Sequence, residues 1–184
     1  MFNWIIENKD LIKIVYGVVI TLICFLIVLK TNRIFKLSFH QGIRYFRNAF
    51  FFFGIAFISR YLFSILEIDN PMIYSFIVKF LFEFFIIMAG FSLLYSLIWK
   101  KIEDPGKTKF SSLFNLNFFI FYIMAFIISI IDYVWNTYTF MFFSQIIIFL
   151  FATVISYRNY TEDRQKHKFP KFYFIVMLLT LTTW

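Results

Sequence analysis

Six apolar runs divide this chain, most of them about twenty residues long, which is the length an α-helix needs to cross a hydrocarbon core of roughly 30 Å. They cover Ile12–Leu29, Asn48–Leu66, Ile73–Trp99, Leu113–Val134, Thr137–Tyr157 and Phe172–Trp184. The alternation of apolar and polar residues expected of an outer-membrane strand is missing, so the runs read as helices. The expected fold is all-α: a polytopic transmembrane helical bundle of about six spans, forming one domain over residues 1–184. Composition agrees, since 61% of residues are hydrophobic and only 15% charged, against about a quarter charged in soluble domains.

Pro71, Pro105 and Pro170 all fall between the runs, beside polar clusters such as Glu103-Asp104-Pro105-Gly106. The first run ends at Leu29 without a small-residue cleavage pattern and is expected to stay attached rather than act as a cleaved leader. Phe172–Trp184 is shorter than the rest. At about 1.5 Å per residue it reaches roughly 20 Å, so the sequence is expected to be a fragment whose parent completes this helix.

The distribution of cations sets an orientation. Of the 18 Lys and Arg residues, most lie in three connections. Lys30, Arg33, Lys36, Arg44 and Arg47 follow the first run. Lys100, Lys101, Lys107 and Lys109 follow the third, and Arg158, Arg164, Lys166, Lys168 and Lys171 the fifth. The second connection carries Glu67 and Asp69 with no Lys or Arg, and the fourth is the uncharged Trp135-Asn136. The positive-inside rule makes the three basic connections cytoplasmic and places the N-terminus outside, in a cell membrane. Tyr133, Trp135 and Tyr138 then mark the outer interface, Trp99 and Tyr157 the inner one. The net charge of +8 is explained by topology and does not require a nucleic-acid partner.

Few residue types suited to catalysis are present. Cys24 is the single cysteine, inside an apolar run, and reads as a small buried hydrophobe. His40 and His167 lie in separate polar stretches without Cys or carboxylates at ligand spacing, so neither a metal nor another cofactor is expected. No Ser-His or Cys-His pairing is visible, and the five glycines are scattered rather than gathered into a phosphate loop. An enzyme is the least favoured class.

Four ionisable residues interrupt the runs: Arg60, Lys79, Glu83 and Asp132. Each costs about 2.5–3.5 kcal/mol at a bilayer centre, which marks them as candidates for a ligand or ion pathway. They form a neutral set in the outer half or near the midplane. Lys79 and Glu83 share a helix face at i,i+4. Small-or-polar stripes run through Ala56, Arg60 and Ser64, through Tyr122, Ala125, Ser129 and Asp132, and through Gln145, Ala152 and Ser156. One reading makes these stripes the contacts of a bundle, with the charges as a buried network that fixes helix partners. The other makes them an outward-facing polar pocket, with Arg60 and Lys79 offering charge to a small anionic ligand.

A second constellation precedes the second run. On one continuous helix over residues 31–47, Arg33, Lys36, His40, Arg44 and Arg47 would share one arc and Phe35, Phe39, Ile43 and Phe46 a neighbouring one, with a bend at Gly42. That pattern fits an amphipathic segment on anionic lipid at the inner leaflet. The functional expectation is a sensory or ligand-binding membrane module, with a small proton- or ion-coupled transporter and a structural subunit of a larger complex as alternatives; self-association is left open. The orientation is directly testable: a cysteine placed at Asn70 is expected to react with an impermeant maleimide from outside, and one placed at Lys107 only after permeabilisation. The opposite labelling pattern would invert the topology.

Overall fold

A computed structural model describes residues 9–38, 41–61, 71–102, 116–162 and 175. Five helices make up the described architecture: α1 (Lys9–Ser38), α2 (Gln41–Tyr61), α3 (Pro71–Ile102), α4 (Leu116–Val134) and α5 (Thr139–Glu162). The expectation of an all-helical chain holds. Three helices contain stretches long and apolar enough to cross a membrane, Leu11–Lys36, Phe76–Trp99 and Thr139–Arg158, and α4 adds a shorter apolar helix over Phe118–Val134. Of the sixth expected span only Ile175 is described; the rest, with His40, lies outside the described residues.

The helices follow from the absence of interior breakers. No proline falls inside a run, and Pro71 opens α3 at the first helical position, where its missing N–H would be unsatisfied anyway. The many Phe and Ile residues are modest helix formers in water. A helix that satisfies its own backbone is nonetheless the one open-ended structure that tolerates apolar surroundings.

Successive helices run antiparallel, and α3 is the hub, packed against α2, α4 and α5. Its meeting with α2 and α4 is aromatic. Tyr45 of α2, Tyr95 of α3 and Phe118 of α4 form a triangle with ring centroids 4.5, 5.4 and 5.7 Å apart. Phe52 lies 6.1 Å from Phe85 and 6.4 Å from Tyr122, extending the same seam. A second cluster joins α2, α3 and α5 through Ala49, Leu93, Phe149 and Ala152. The apolar window of α3 is 56% buried, that of α1 only 11%.

Among the described residues α1 packs chiefly on α2. Its buried residues Gly17, Cys24 and Thr31 recur every seven positions, a narrow seam along one face. Gly17 sits against Tyr61, Cys24 lies against Gly54, and Asn32 accepts a 2.7 Å hydrogen bond from Arg47 Nη1. Outward, Leu11, Val15, Leu22, Phe25, Leu26 and Leu29 are all more than half exposed.

This pairing corrects the expectation of one basic helix over residues 31–47. α1 carries Arg33 and Lys36 at its end, and α2 begins at Gln41 and runs back along it with Arg44 and Arg47. Arg33 and Lys36 therefore lie on a different helix from Arg44 and Arg47. The physical reason is the antiparallel seam, which turns Arg47 back onto Asn32 and Asn48. The small-residue stripe of α2 is likewise re-aimed: Asn48, Ala49, Phe52, Ala56 and Ser59 are buried, whereas Arg60 is exposed.

Gly17 is where α1 approaches most closely, since a Cβ built there would stand 2.5 Å from Tyr61 Cβ and Cγ. Gly17→Ala is expected to cost about 1–3 kcal/mol, read as a lower melting temperature in detergent, with a smaller loss in a Tyr61→Ala background. Equal losses in both backgrounds would show that the seam does not close there.

Candidate functional site

The four ionisable residues of the apolar runs do not form one network. Among the described residues no hydrogen bond or ion pair joins any of Arg60, Lys79, Glu83 and Asp132 to another; each has a separate setting.

Asp132 is completely buried and works as a hinge between two helices. Asn136, at φ 48°, takes the left-handed conformation that ends α4, with Asn136 N–H donating to Tyr133 O and Thr137 N–H to Asp132 O, both at 3.0 Å. That is the double bond pattern of a Schellman C-cap. The Asp132 side chain then reaches forward to α5: Oδ1 accepts from Thr137 Oγ1 and from Phe140 N–H, both at 3.0 Å, and Oδ2 accepts from Met141 N–H. Phe140 and Met141 hold the orphan N–H groups of the first turn of α5. A carboxylate there also meets the positive end of the helix dipole. Asp132 supplies from α4 the cap that Tyr138, at the start of α5, cannot provide.

Lys79 Nζ donates to Asn136 Oδ1 at 3.2 Å and lies 4.6 Å above the Tyr138 ring. It is therefore tied to the α4–α5 turn, where its i,i+4 spacing had pointed to Glu83. Arg60 stacks over the ring of Phe82 at 4.5 Å and stands 5.9 Å from Tyr61. The two cations thus engage different neighbours, one at the α4–α5 turn and one at the α2–α3 seam.

Glu83 is the residue left over. It is 0% exposed, and neither Oε1 nor Oε2 has a hydrogen-bond partner. The charges that bear on it electrostatically are Asp132 and Lys79. Its height follows from two fixed points on the parallel pair α3 and α5: Lys79 meets Tyr138, and Ile86 O accepts a 3.2 Å hydrogen bond from Gln145 Nε2. Glu83 falls between those points, below the Asp132 cap and above Gln145. Gln145 is also fully buried, and its Oε1 is unpartnered.

Gly90 makes room for that amide. A Cβ at position 90 would lie 2.7 Å from Gln145 Oε1, so glycine leaves room there for the end of the Gln145 side chain. Two buried hydroxyls are committed locally, Ser92 donating to Met88 O and Ser129 to Ala125 O at 2.8 and 2.9 Å, whereas Ser156 Oγ has no partner. Such bonds to the preceding turn leave little for a ligand. Among the described residues the buried side-chain atoms without a hydrogen-bond partner are the two carboxyl oxygens of Glu83, Gln145 Oε1 and Ser156 Oγ. Among the described residues no three His, Cys, Asp or Glu side chains gather as a metal site.

Sequence reasoning singled out Glu83 and placed Gln145 on a small-or-polar stripe, but it missed the bond to Ile86 O and the capping role of Asp132. An available signal was an acid at the end of one apolar run, a two-residue polar break, and a next run opening without its own capping side chain.

Comparison with known proteins adds a limited finding. The chain is 31% identical over 103 residues to an uncharacterized protein of Archaeoglobus fulgidus, which is 50% of this chain and 45% of that protein. The chain thus spans less than half the length of the relative it matches. No family model and no solved structure matches it.

Because Asp132 satisfies three donors at a buried turn, Asp132→Ala is expected to destabilise by about 2–4 kcal/mol, the sum of a lost cap and orphaned buried donors. Asp132→Asn, which keeps an acceptor, is expected to lose clearly less. Chemical or thermal unfolding in micelles measures both, and a neutral Asp132→Ala would remove the capping role.

Proposed function

We propose that this chain is a multi-pass cell-membrane protein with its N-terminus outside and six crossings, and that it is a small proton- or ion-coupled carrier using Glu83 as its ion-binding group. The observation that carries this reading is the state of Glu83: fully buried, with both carboxyl oxygens unbonded. A carboxylate in that position costs several kcal/mol unless a cation or proton joins it. Intramembrane acids of this kind mark ion pathways and proton relays.

The orientation is supported by the cation distribution and by the exposed Tyr133, Trp135 and Tyr138 around the α4–α5 turn, as an outer aromatic belt requires. Arg33 and Lys36, exposed at the end of α1, are proposed to rest on anionic lipid together with Arg44, at about 1 kcal/mol per residue. The carrier reading is preferred to a sensor for a small anion because Arg60 and Lys79 engage different partners and do not converge on one opening. A scaffold has no use for an acid that bonds to nothing and adds only cost to the bundle.

Purified protein in vesicles loaded with a trapped pH dye, under an imposed pH gradient and potential, is expected to pass protons or the coupled cation at a rate above protein-free vesicles. Glu83→Gln is expected to reduce that flux at least tenfold while melting at or above the wild-type temperature, since it removes a buried charge. Unchanged flux in Glu83→Gln would rule out Glu83 as the coupling group. A marked loss of stability in that variant would favour the scaffold.

A further inference from the structure

The end of α1 and the start of α2 hold a half-buried arginine that the carrier reading does not use. Arg47 bridges the two helices, with Nη1 donating to Asn32 Oδ1 of α1 at 2.7 Å and Nη2 to Asn48 Oδ1 at 3.3 Å. Both acceptors are neutral amides. They fix the plane of the guanidinium but leave its charge whole, and its fork carries five N–H donors. Among the described residues Arg47 has no ion pair and no further hydrogen bond. The charged group that bears on it is a second cation, Arg44, one turn earlier on α2 and also half-buried. On α1, Lys36 stands one turn beyond Asn32 and is exposed.

A clamp between α1 and α2 is the simpler role, and the Asn32 bond does tie them. Paired amides would make the same tie without a charge whose desolvation has to be offset. Arg44 opposes the charge of Arg47, and an anion reaching both would turn that opposition into attraction. Arginine suits a phosphate in particular, because its fork takes two phosphate oxygens at once.

The height of the guanidinium says where such a phosphate comes from. The apolar run of α1 ends at Leu29, three residues before Asn32, and that of α2 begins at Asn48, directly after Arg47. Both helices thus pass from apolar to polar sequence at the level of Arg47. On the apolar side of that level α1 presents Phe25, Leu26 and Leu29, each more than half exposed. A charged seat above an apolar wall matches a phospholipid, with its phosphate on the arginine and its acyl chains along α1. We propose that Arg47, with Arg44, forms a discrete seat for the phosphate of one anionic phospholipid at the α1–α2 seam. The proposal rests on the membrane reading given above and not on the carriage of ions. It differs from the diffuse attraction of Arg33 and Lys36 to the leaflet in holding one lipid per chain. A zwitterionic lipid is disfavoured there, because its ammonium group would meet Arg44 and Lys36.

Native mass spectrometry of the full chain in detergent micelles, titrated with phosphatidylglycerol or phosphatidylcholine, tests the seat. One phosphatidylglycerol per chain is expected to stay bound in about 0.5 M ammonium acetate, where the screening length is only about 4 Å. Phosphatidylcholine is expected to bind about tenfold more weakly, and Arg47→Gln to lower the phosphatidylglycerol affinity by about tenfold or more. Arg33→Gln is expected to leave that affinity nearly unchanged. Where Arg47→Gln folds poorly, hydroxyphenylglyoxal modification of arginines in the wild-type chain serves instead, with phosphatidylglycerol expected to protect Arg47 and not Arg33. Loss of the lipid at that salt concentration, or an equal effect of Arg33→Gln, would overturn the seat in favour of diffuse attraction. Equal protection of Arg47 by inorganic phosphate in lipid-free micelles would overturn the lipid assignment. A chain that holds its phosphatidylglycerol yet passes no ions in vesicles would keep the seat and lose the carrier, and flux without a bound lipid would do the reverse.

Discussion

A chain this apolar has lipid as its alternative solvent, and in lipid the burial of one leucine against another gains little. What gathers the helices around α3 must therefore come from close packing and from hydrogen bonds that hydrocarbon cannot supply. Both are visible at particular places. The Tyr45, Tyr95 and Phe118 triangle locks α2, α3 and α4, with Tyr95 edge-to-face on both other rings and Tyr45 and Phe118 tilted. α5 joins through polar contacts, with Gln145 on Ile86 O and its first turn on Asp132. α1 meets α2 through Tyr16 against Tyr61 and through Asn32 on Arg47, and with its apolar window only 11% buried it is peripheral.

The same constraint separates the two buried acids. Asp132 and Glu83 are equally hidden from solvent, and a hydropathy profile penalises them alike. Their surroundings differ completely, because one lies at a helix end, where backbone donors are in surplus, and the other lies in mid-helix, where every backbone donor is already used. Position along the helix, more than depth in the membrane, decides which acid is structural and which is left available.

Much of the helix layout was legible in the runs themselves. The expected Ile73–Trp99, Leu113–Val134 and Thr137–Tyr157 match α3, α4 and α5 to within a few residues at each end. Hydropathy failed where charged residues extend helices beyond the apolar window, so α1 runs on to Ser38 and α2 starts at Gln41. At about 1.5 Å per residue the 30 residues of α1 reach roughly 45 Å, well past a hydrocarbon core. The basic segment was misjudged for a related reason: periodicity reports which residues would share a face if the helix were unbroken, and it does not report where the chain doubles back. Glu83 stood out because it breaks an apolar run, whereas the Asp132 cap depends on a tertiary fold-back that spacing alone does not encode.

The Asp132 cap bears also on how the chain is assembled. Its bonds span only five to nine residues of sequence, so closing them orders little chain and requires no contribution from α1, α2 or α3. α4 and α5 can therefore pair as soon as both have left the ribosome, a self-contained hairpin offered to the membrane as one piece. The acid that looks most out of place in a hydropathy plot thus closes a local hairpin whose bonds need no other helix.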